Sequence, residues 1–283
     1  SWIKQGAPAA EGLARPPSTA AAMQALRRVD ALRRHVLSAA PQRRSVVTKR
    51  CLGRELPVPT HSVRELRHGD LVFASEPLNL QMKLDMAIQA VGHKTIDWLV
   101  ERGVEVASKD VAEHVAMVVA DSTGHATSVV EAVRVAGVRT LPLDLFFKEF
   151  MPGTKFFHGQ LCGVSKEQAR SAVAFAMHRA GAPYANDFAP PDPLCTTCWT
   201  QAYYCSSLID HAYQDALGEE LVFTKEPFPL IWEPEAFWDK FYKREGLARY
   251  QGFGSNPTLL LHSPRVDYSL LFSEEKEEVH ELF

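Results

Sequence analysis

Short apolar runs bounded by turn residues follow one another beyond the first 55 residues. The run 71–73 (Leu-Val-Phe) comes directly after 69–70 (Gly-Asp), which indicates a turn that opens a buried strand. The apolar run 115–120 predicts a second strand, and residues 127–133 predict a third. Residues 121–124 (Asp-Ser-Thr-Gly) supply turn chemistry between them, so we expect these two strands to form an antiparallel hairpin.

Two helices are predicted with defined ends. The first begins at a capping box formed by Ser165 and Gln168, and its apolar positions continue to Gly181 at the C-terminal cap. The second spans residues 204–217, has an apolar face at helical spacing, and is closed by Gly218. These helices and the preceding strands predict an α+β fold.

The segments around these helices carry weaker signals. A short aromatic helix is expected over residues 233–242, and no strong periodicity marks the chain beyond Gly252. Residues 186–202 form a loop rich in Pro, Asp and Cys that is long enough to be functional. Its Cys195 and Cys198 could be half of a zinc site or a redox pair, but a structural zinc site usually takes two such pairs. We therefore expect a reduced structural pair, no metal and no cofactor.

Charge divides the chain into two unequal parts. The overall net charge of -3 gives no global field that would favour nucleic acid or a membrane surface. Residues 1–54, however, carry 11 Lys or Arg against Glu11 and Asp30, a net charge of +9, and residues 55–283 carry a net charge of -12. An Arg-rich, acid-poor segment with apolar positions at helical spacing over residues 20–40 is typical of a mitochondrial transit signal. A solvated basic arm is the alternative.

This asymmetry predicts three regions: a basic extension for docking or targeting over 1–54, a globular domain over 55–250, and a C-terminal tail over 251–283. Termini of such composition are rarely ordered unless a partner holds them. We therefore expect other protein subunits to contact the arm and the tail. Only residues 1–54 could bind nucleic acid. The longest apolar run, 115–120, is far shorter than the roughly 18 residues of a spanning helix. A soluble or peripheral protein is expected.

Cysteine usage bears on the compartment. The five cysteines are an odd number in a chain of 283 residues and do not form the dense pattern of a secreted disulfide scaffold. A reducing compartment is therefore the default expectation. Together with the basic arm, this favours a mitochondrial protein, with the cytoplasm as the alternative location.

Cys205 is the most informative candidate for chemistry. It lies in the first turn of the helix over 204–217, where the helix dipole and unpaired backbone N–H groups stabilise the nucleophilic thiolate. A small buried cysteine that packs the helix is the structural alternative. His114 is a candidate partner because it begins the strand over 115–120, and imidazole is suited to take a thiol proton near neutral pH.

The expected hairpin also places a carboxylate near His114. If Asp121 pairs with Ala126 across the turn, His114 faces Val133, and Glu131 lies diagonally on the same face. A carboxylate in that position could orient the imidazole ring. A surface strand residue is the alternative for Glu131.

Five short motifs occur in an order that resembles a known family. They are His-Gly-Asp-Leu-Val-Phe at 68–73, Glu-His-Val-Ala-Met-Val-Val at 113–119, Val-Glu-Ala-Val at 130–133, Gly-Ala-Pro-Tyr at 181–184 and Tyr-Cys-Ser-Ser-Leu-Ile at 204–209. This order resembles the bacterial YiiX-like proteins, which belong to the circularly permuted NlpC branch of papain-like cysteine hydrolases, in which His precedes Cys. The resemblance covers roughly residues 64–237.

The resemblance implies a permuted papain-like fold in which an antiparallel sheet packs against the nucleophile helix. It implies Cys205 as the nucleophile, His114 as the general base, Glu131 as the residue that orients it, and Tyr184 near the substrate. Relatives of this type act on acyl groups at amide, ester or thioester bonds, and some resemble a lipid-handling acyltransferase group. An acyl or lipid-like substrate is therefore expected.

Two features depart from the compact bacterial pattern. Residues 190–200 lie in what looks like an insertion before Cys205, and the basic arm over 1–54 is additional. Two function classes consequently stay open. One is a papain-like thiol hydrolase or acyltransferase; the other is an accessory, non-catalytic subunit of a large mitochondrial assembly that uses this fold for protein interaction.

Overall fold

The computed structural model describes residues 48–51, 54–57, 65–77, 83–191 and 201–273. Within these residues an antiparallel sheet is combined with helices, which is the α+β fold that the sequence predicts. The strands are β1 (Thr48–Cys51), β2 (Arg54–Pro57), β3 (Leu71–Ser75), β4 (His114–Ala120), β5 (Ala126–Val133), β6 (Gly137–Pro142), β7 (Lys155–Leu161), β8 (Phe228–Pro229), β9 (Phe253–Gly254) and β10 (Val266–Ser273). The helices are α1 (Lys83–Glu101), α2 (Leu143–Lys148), α3 (Lys166–Met177), α4 (Cys205–Leu217), α5 (Glu235–Glu245) and α6 (Pro257–Leu261).

A six-stranded antiparallel sheet organises the fold, with strand order β10-β7-β3-β4-β5-β6. The predicted hairpin is its β4–β5 pair, in which Met117 lies opposite Val130 and Val118 lies opposite Val129. This is the register expected from the sequence. A bulge after Val119 shifts the pairing by one residue at the turn end, but it leaves the register unchanged at the end that carries His114.

The two faces of the sheet are both covered, because side chains on a strand alternate between its faces. Residues Leu71, Phe73 and Met117 belong to the larger core, which also contains Leu208 and Ile209 of α4. The alternate positions belong to a smaller core with Leu143 and Phe146 of α2; from the strands it contains Val72, Ala74, Ala116, Val118, Val129 and Phe156. Helix α4 therefore packs on the larger-core face.

Helix α3 has the predicted beginning but a different end. The Ser165 hydroxyl accepts the Gln168 N–H, and the Gln168 side chain accepts the Ser165 N–H, as the capping box requires. The helix ends at Met177, however, and not near Gly181. Gly181 donates its N–H to the Val138 carbonyl of β6 at 2.8 Å, so this backbone joins the sheet edge instead of continuing the helix.

Helix α4 begins and ends as predicted, with Tyr204 as N-cap and Gly218 in the left-handed conformation as C-cap. The aromatic helix expected over residues 233–242 is α5, which starts two residues later and continues to the left-handed Gly246. The 19-residue helix α1 has no counterpart in the sequence analysis.

The segment beyond Gly252, in which no strong periodicity was expected, contains structure that the sheet requires. Strand β10 pairs along β7 and forms one edge of the six-stranded sheet, and Leu259, Leu260 and Leu261 of α6 are buried in the larger core. Residues 251–273 of the predicted tail are therefore part of the fold. Their order comes from pairing with a distant strand, which local periodicity does not record.

Several predictions concern residues outside the described ranges. They include the basic arm up to residue 47, the loop residues 192–200 with Cys195 and Cys198, and the acidic run over 274–283. Docking, targeting and zinc binding there stay predictions. Among the described helices, none combines the length and the apolar character needed to cross a membrane.

Candidate active site

Cys205 is the first residue of α4 and a free thiol, and it is 7% exposed. The preceding residue, Tyr204, has extended backbone angles, so the chain enters the helix directly at the sulfur-bearing residue. The Ser207 hydroxyl accepts the Tyr204 N–H at 3.0 Å, which secures this first turn. The N–H groups of a first helical turn have no partner within the helix, and they surround Cys205 with partial positive charge.

A contact from the predicted tail holds the same helix end. The Tyr204 hydroxyl accepts the backbone N–H of Ser255 at 3.1 Å. Burial raises the pKa of this phenol well above its usual range, so it stays protonated at neutral pH. Gly254 is needed beside it, because a Cβ atom there would lie 2.7 Å from the Tyr204 hydroxyl. Ser255, in the segment after β8, thus holds Tyr204, the residue that precedes Cys205.

His114 begins β4, and its ring links the thiol to a carboxylate. Its Nε2 donates to Glu131 Oε2 at 2.6 Å, and Cys205 lies near enough to act on the ring electrostatically. Burial by itself would lower the pKa of the imidazole, but the contacts and charges of Cys205 and Glu131 outweigh it and raise that pKa to about 10. The site therefore favours the protonated ring. Phe146 and Phe150 lie beside the ring, with centroid distances of 6.1 and 5.9 Å.

Glu131 lies on β5 and is 1% exposed. Burial favours its neutral form, yet His114 and Arg139 together lower the pKa of the carboxyl below its usual range. Arg139 lies directly opposite on β6 and donates its Nε–H to Glu131 Oε1 at 2.8 Å. The carboxylate is thus charged and held at both oxygens.

Tyr184 lies in the segment between α3 and α4 and forms an isolated parallel bridge with Tyr203. Two backbone hydrogen bonds hold this bridge, from Tyr203 to Pro183 at 3.0 Å and from Ala185 to Tyr203 at 3.1 Å. Burial, followed by the negative charge of Cys205, raises the pKa of the Tyr184 phenol well above its usual range. The phenol is therefore close to the thiol and stays protonated.

The structure brings Glu131 into contact with His114 and places Cys205 near the same ring and near Tyr184. Sequence analysis missed Arg139. A second hairpin could have indicated it. Gly137 begins β6 at a positive φ, and the short turn before it sets the β5–β6 register, which places Arg139 opposite Glu131.

Two cavities lie apart from this site. One of about 450 Å³ is lined by Trp98, Arg102 and Phe223, among others. The other, of about 1310 Å³, lies at the opposite end of β4 from His114 and reaches Asp70. None of the described residues that line them is one of the three contacting residues Cys205, His114 and Glu131.

Among the residues that the structure describes, no group of three or more His, Cys, Asp or Glu side chains is arranged to hold a metal ion. Cys162 is disulfide-bonded. This differs from the reduced cysteines that the sequence analysis expected.

An antiparallel sheet packed against a helix that begins at a free cysteine, with the histidine-bearing strand earlier in the chain, is the arrangement of permuted papain-like hydrolases. Residues 65–266 match the family described as permuted papain-like amidase enzymes, YaeF/YiiX, family C92. This match covers well over half of the chain, so the chain belongs to the permuted papain-like amidase family.

Among solved structures, the chain is similar to the metalloprotein YiiX from Escherichia coli O157:H7. The two share 20% sequence identity with a TM-score of 0.49, over 72% of this chain and 96% of that chain. The search among curated proteins found no match.

Proposed function

We propose that this chain is a thiol hydrolase or acyltransferase in which Cys205 is the nucleophile, His114 the general base and Glu131 the residue that orients the base. The observation that carries the proposal is the placement of one imidazole, which hydrogen-bonds a buried carboxylate at 2.6 Å and interacts electrostatically with Cys205. Nucleophile, base and orienting group in contact are the arrangement that covalent catalysis needs.

The proposed reaction starts from a thiolate–imidazolium pair, in which His114 already holds the proton of the Cys205 thiol. The thiolate attacks the carbonyl carbon of an amide, ester or thioester, and the carbonyl electrons move to the oxygen. Backbone N–H groups in the first turn of α4 are suited to stabilise that oxyanion. When the tetrahedral intermediate collapses, the imidazolium gives its proton to the leaving amine, alcohol or thiol, and the acyl group stays on Cys205.

The second half of the reaction releases the acyl group. His114 takes a proton from water, or from an acceptor amine, alcohol or thiol, and the resulting nucleophile attacks the acyl-enzyme. Cys205 leaves as thiolate and regains its proton from His114. Water gives hydrolysis and another acceptor gives acyl transfer, so exclusion of water from the cleft decides between the two outcomes.

Tyr184 is proposed to bind the substrate. Because burial and the nearby Cys205 charge raise the pKa of its phenol, the hydroxyl stays protonated and can donate a hydrogen bond at neutral pH. The partly exposed ring of Phe150 beside His114 adds apolar surface near the base. A protonated donor near the sulfur and apolar surface near the base suit an acyl group with an apolar chain.

The test follows acylation of the sulfur directly. The purified chain is incubated with a p-nitrophenyl ester, an aryl amide and an aryl thioester of the same medium-length acyl group. Peptide mass spectrometry then locates the acyl adduct. We expect an adduct on Cys205 and turnover of at least one of these compounds.

Cys205→Ser should abolish both the adduct and turnover. Ser206→Ala is the matched control, since it changes the next buried residue of the same helical turn without touching the thiol. Turnover that persists in Cys205→Ser, or the absence of acylation with all three compounds, would contradict the proposal.

A role in a larger assembly is proposed from the charge asymmetry. The +9 extension over residues 1–54 is suited to docking on other subunits of a mitochondrial assembly. This role does not exclude catalysis, because docking and acyl transfer use different parts of the chain.

A further inference from the structure

The buried carboxylate of Glu131 is held at both of its oxygen atoms. Oε2 accepts the hydrogen bond from His114 at 2.6 Å, and Oε1 accepts Arg139 Nε–H at 2.8 Å. A second guanidinium nitrogen of Arg139 lies 2.7 Å from the same Oε1. The carboxylate is therefore fixed between a ring and a permanent cation.

Arg139 is itself held from two directions. It projects from β6 opposite Glu131, and its guanidinium also pairs with Glu149, the C-cap residue of α2. The planar guanidinium matches carboxylate geometry, and a fork held by two carboxylates loses its rotational freedom. Its side chain is 26% exposed, so solvent screens this cation only in part.

We propose that Arg139 is a positioning residue of the Cys205–His114 pair: it keeps Glu131 charged and turned toward the imidazole. This inference rests on the proposed function of the site. Arg139 does not touch the reacting atoms and acts only through Glu131.

The physical argument concerns the free energy of a buried charge. A carboxylate with almost no exposed surface loses its hydration, and without a cation it would bind a proton. A protonated Glu131 could no longer stabilise the imidazolium that forms when Cys205 loses its proton. With Arg139 present, a cation lies beside the Glu131 carboxylate, and the charged carboxylate can stabilise the imidazolium.

Other titrating groups lie near the Cys205–His114 pair and Glu131, and the test has to account for them. Around Cys205, His114 and Glu131 they are Tyr184 and Tyr204 near the sulfur, Arg134 near Tyr184, and Glu149 beside Arg139. Glu113 precedes His114, and burial raises the pKa of its carboxyl to about 7, so it titrates within the useful pH range. All variants compared below keep these groups.

The experiment measures the rate at which iodoacetamide alkylates Cys205, by peptide mass spectrometry, from pH 4 to pH 10. Wild type is compared with Arg139→Gln and Arg139→Lys. Direct contact with an opposite charge shifts a pKa by about 1–3 units, and the effect of Arg139 on the sulfur passes through two groups. We expect the midpoint of the alkylation profile in Arg139→Gln to move up by about 0.5–1 pH unit, with a smaller shift in Arg139→Lys.

Arg265→Gln is the matched control. Arg265 pairs with Glu219 away from the site, and its side chain is 24% exposed, close to the 26% of Arg139. Its profile should coincide with that of wild type. Should Arg139→Gln fail to fold, Arg139→Met replaces it, since that side chain fills similar volume without an unpaired polar group, and the same shift is expected.

The outcomes separate this inference from the function on which it rests. A wild-type profile with a midpoint near 8.5, about that of an ordinary thiol, would contradict the proposed function itself. An activated wild-type thiol whose profile is unchanged in Arg139→Gln, or in Arg139→Met where that variant replaces it, would overturn only the role of Arg139. An upward shift with recovery in Arg139→Lys supports it.

Discussion

Replacing Glu131 by Gln isolates the charge next to His114, because the amide keeps the size of the side chain. In the native site, burial lowers the pKa of the imidazole, and the Cys205 and Glu131 contacts raise it to about 10. Without the carboxylate charge, less remains to oppose the lowering of the His114 pKa by burial. We therefore expect the pKa of His114 to fall in Glu131→Gln.

The magnitude follows from contact electrostatics. An opposite charge in contact changes a pKa by about 1–3 units, and each unit corresponds to about 1.4 kcal/mol. The 2.6 Å hydrogen bond and the near-complete burial of Glu131 favour the upper half of that range. We expect a fall of about 2 units or more, equivalent to roughly 3 kcal/mol of lost imidazolium stabilisation.

The assay is an NMR titration of the His114 ring protons, assigned by comparison with His114→Gln. It is best made in a Cys205→Ala background, which removes the contribution of the sulfur. Glu149→Gln is the matched control, because it removes a nearby carboxylate that contacts Arg139 and not His114. A His114 pKa that changes by less than about 0.5 unit in Glu131→Gln would refute the electrostatic argument.

The same shift predicts how stability depends on pH. The folded-state pKa of His114 lies above the 6.5 of an unperturbed histidine, so its contribution to the free energy of unfolding is fully present below pH 6.5. It is lost as pH rises from 6.5 to about 10. Urea unfolding across this range should show the loss in wild type and a flatter dependence in Glu131→Gln, and parallel curves would contradict the linkage.

Three further predictions test other parts of the molecule. Gly254→Ala should force the buried Tyr204 hydroxyl away, lower the free energy of unfolding by about 1–3 kcal/mol and slow alkylation of Cys205. Ser255→Ala keeps the backbone donor and should do neither, so equal effects of the two variants would contradict the contact. Tyr184→Phe should raise KM in acyl-ester turnover with little change in thermal unfolding, and an unchanged KM would remove it from substrate binding. Deletion of residues 1–54 should abolish co-purification with partner subunits and leave the thiol equally reactive, and unfolding of the truncated chain would show instead that the arm belongs to the fold.

Local features of this protein could be predicted from its sequence. The Ser165 and Gln168 capping box, the α4 helix closed by Gly218 and the β4–β5 register all depend on residues a few positions apart. Their physical causes are caps, turn residues and periodic apolar positions, which act within one element or one hairpin. For the site, the family motif order already pointed to Cys205, His114 and Glu131.

Other features were decided only by tertiary structure. The end of α3 is set where Gly181 bonds to Val138 of β6, and β10 acquires its order by pairing with β7. Arg139 becomes part of the site because β6 places it opposite Glu131, and Tyr204 is held by the distant Ser255. These contacts join segments that are far apart along the chain, and the local pattern of apolar residues carries no information about such pairs. Their existence depends on which strands become neighbours, and that is determined by burial of the whole sheet.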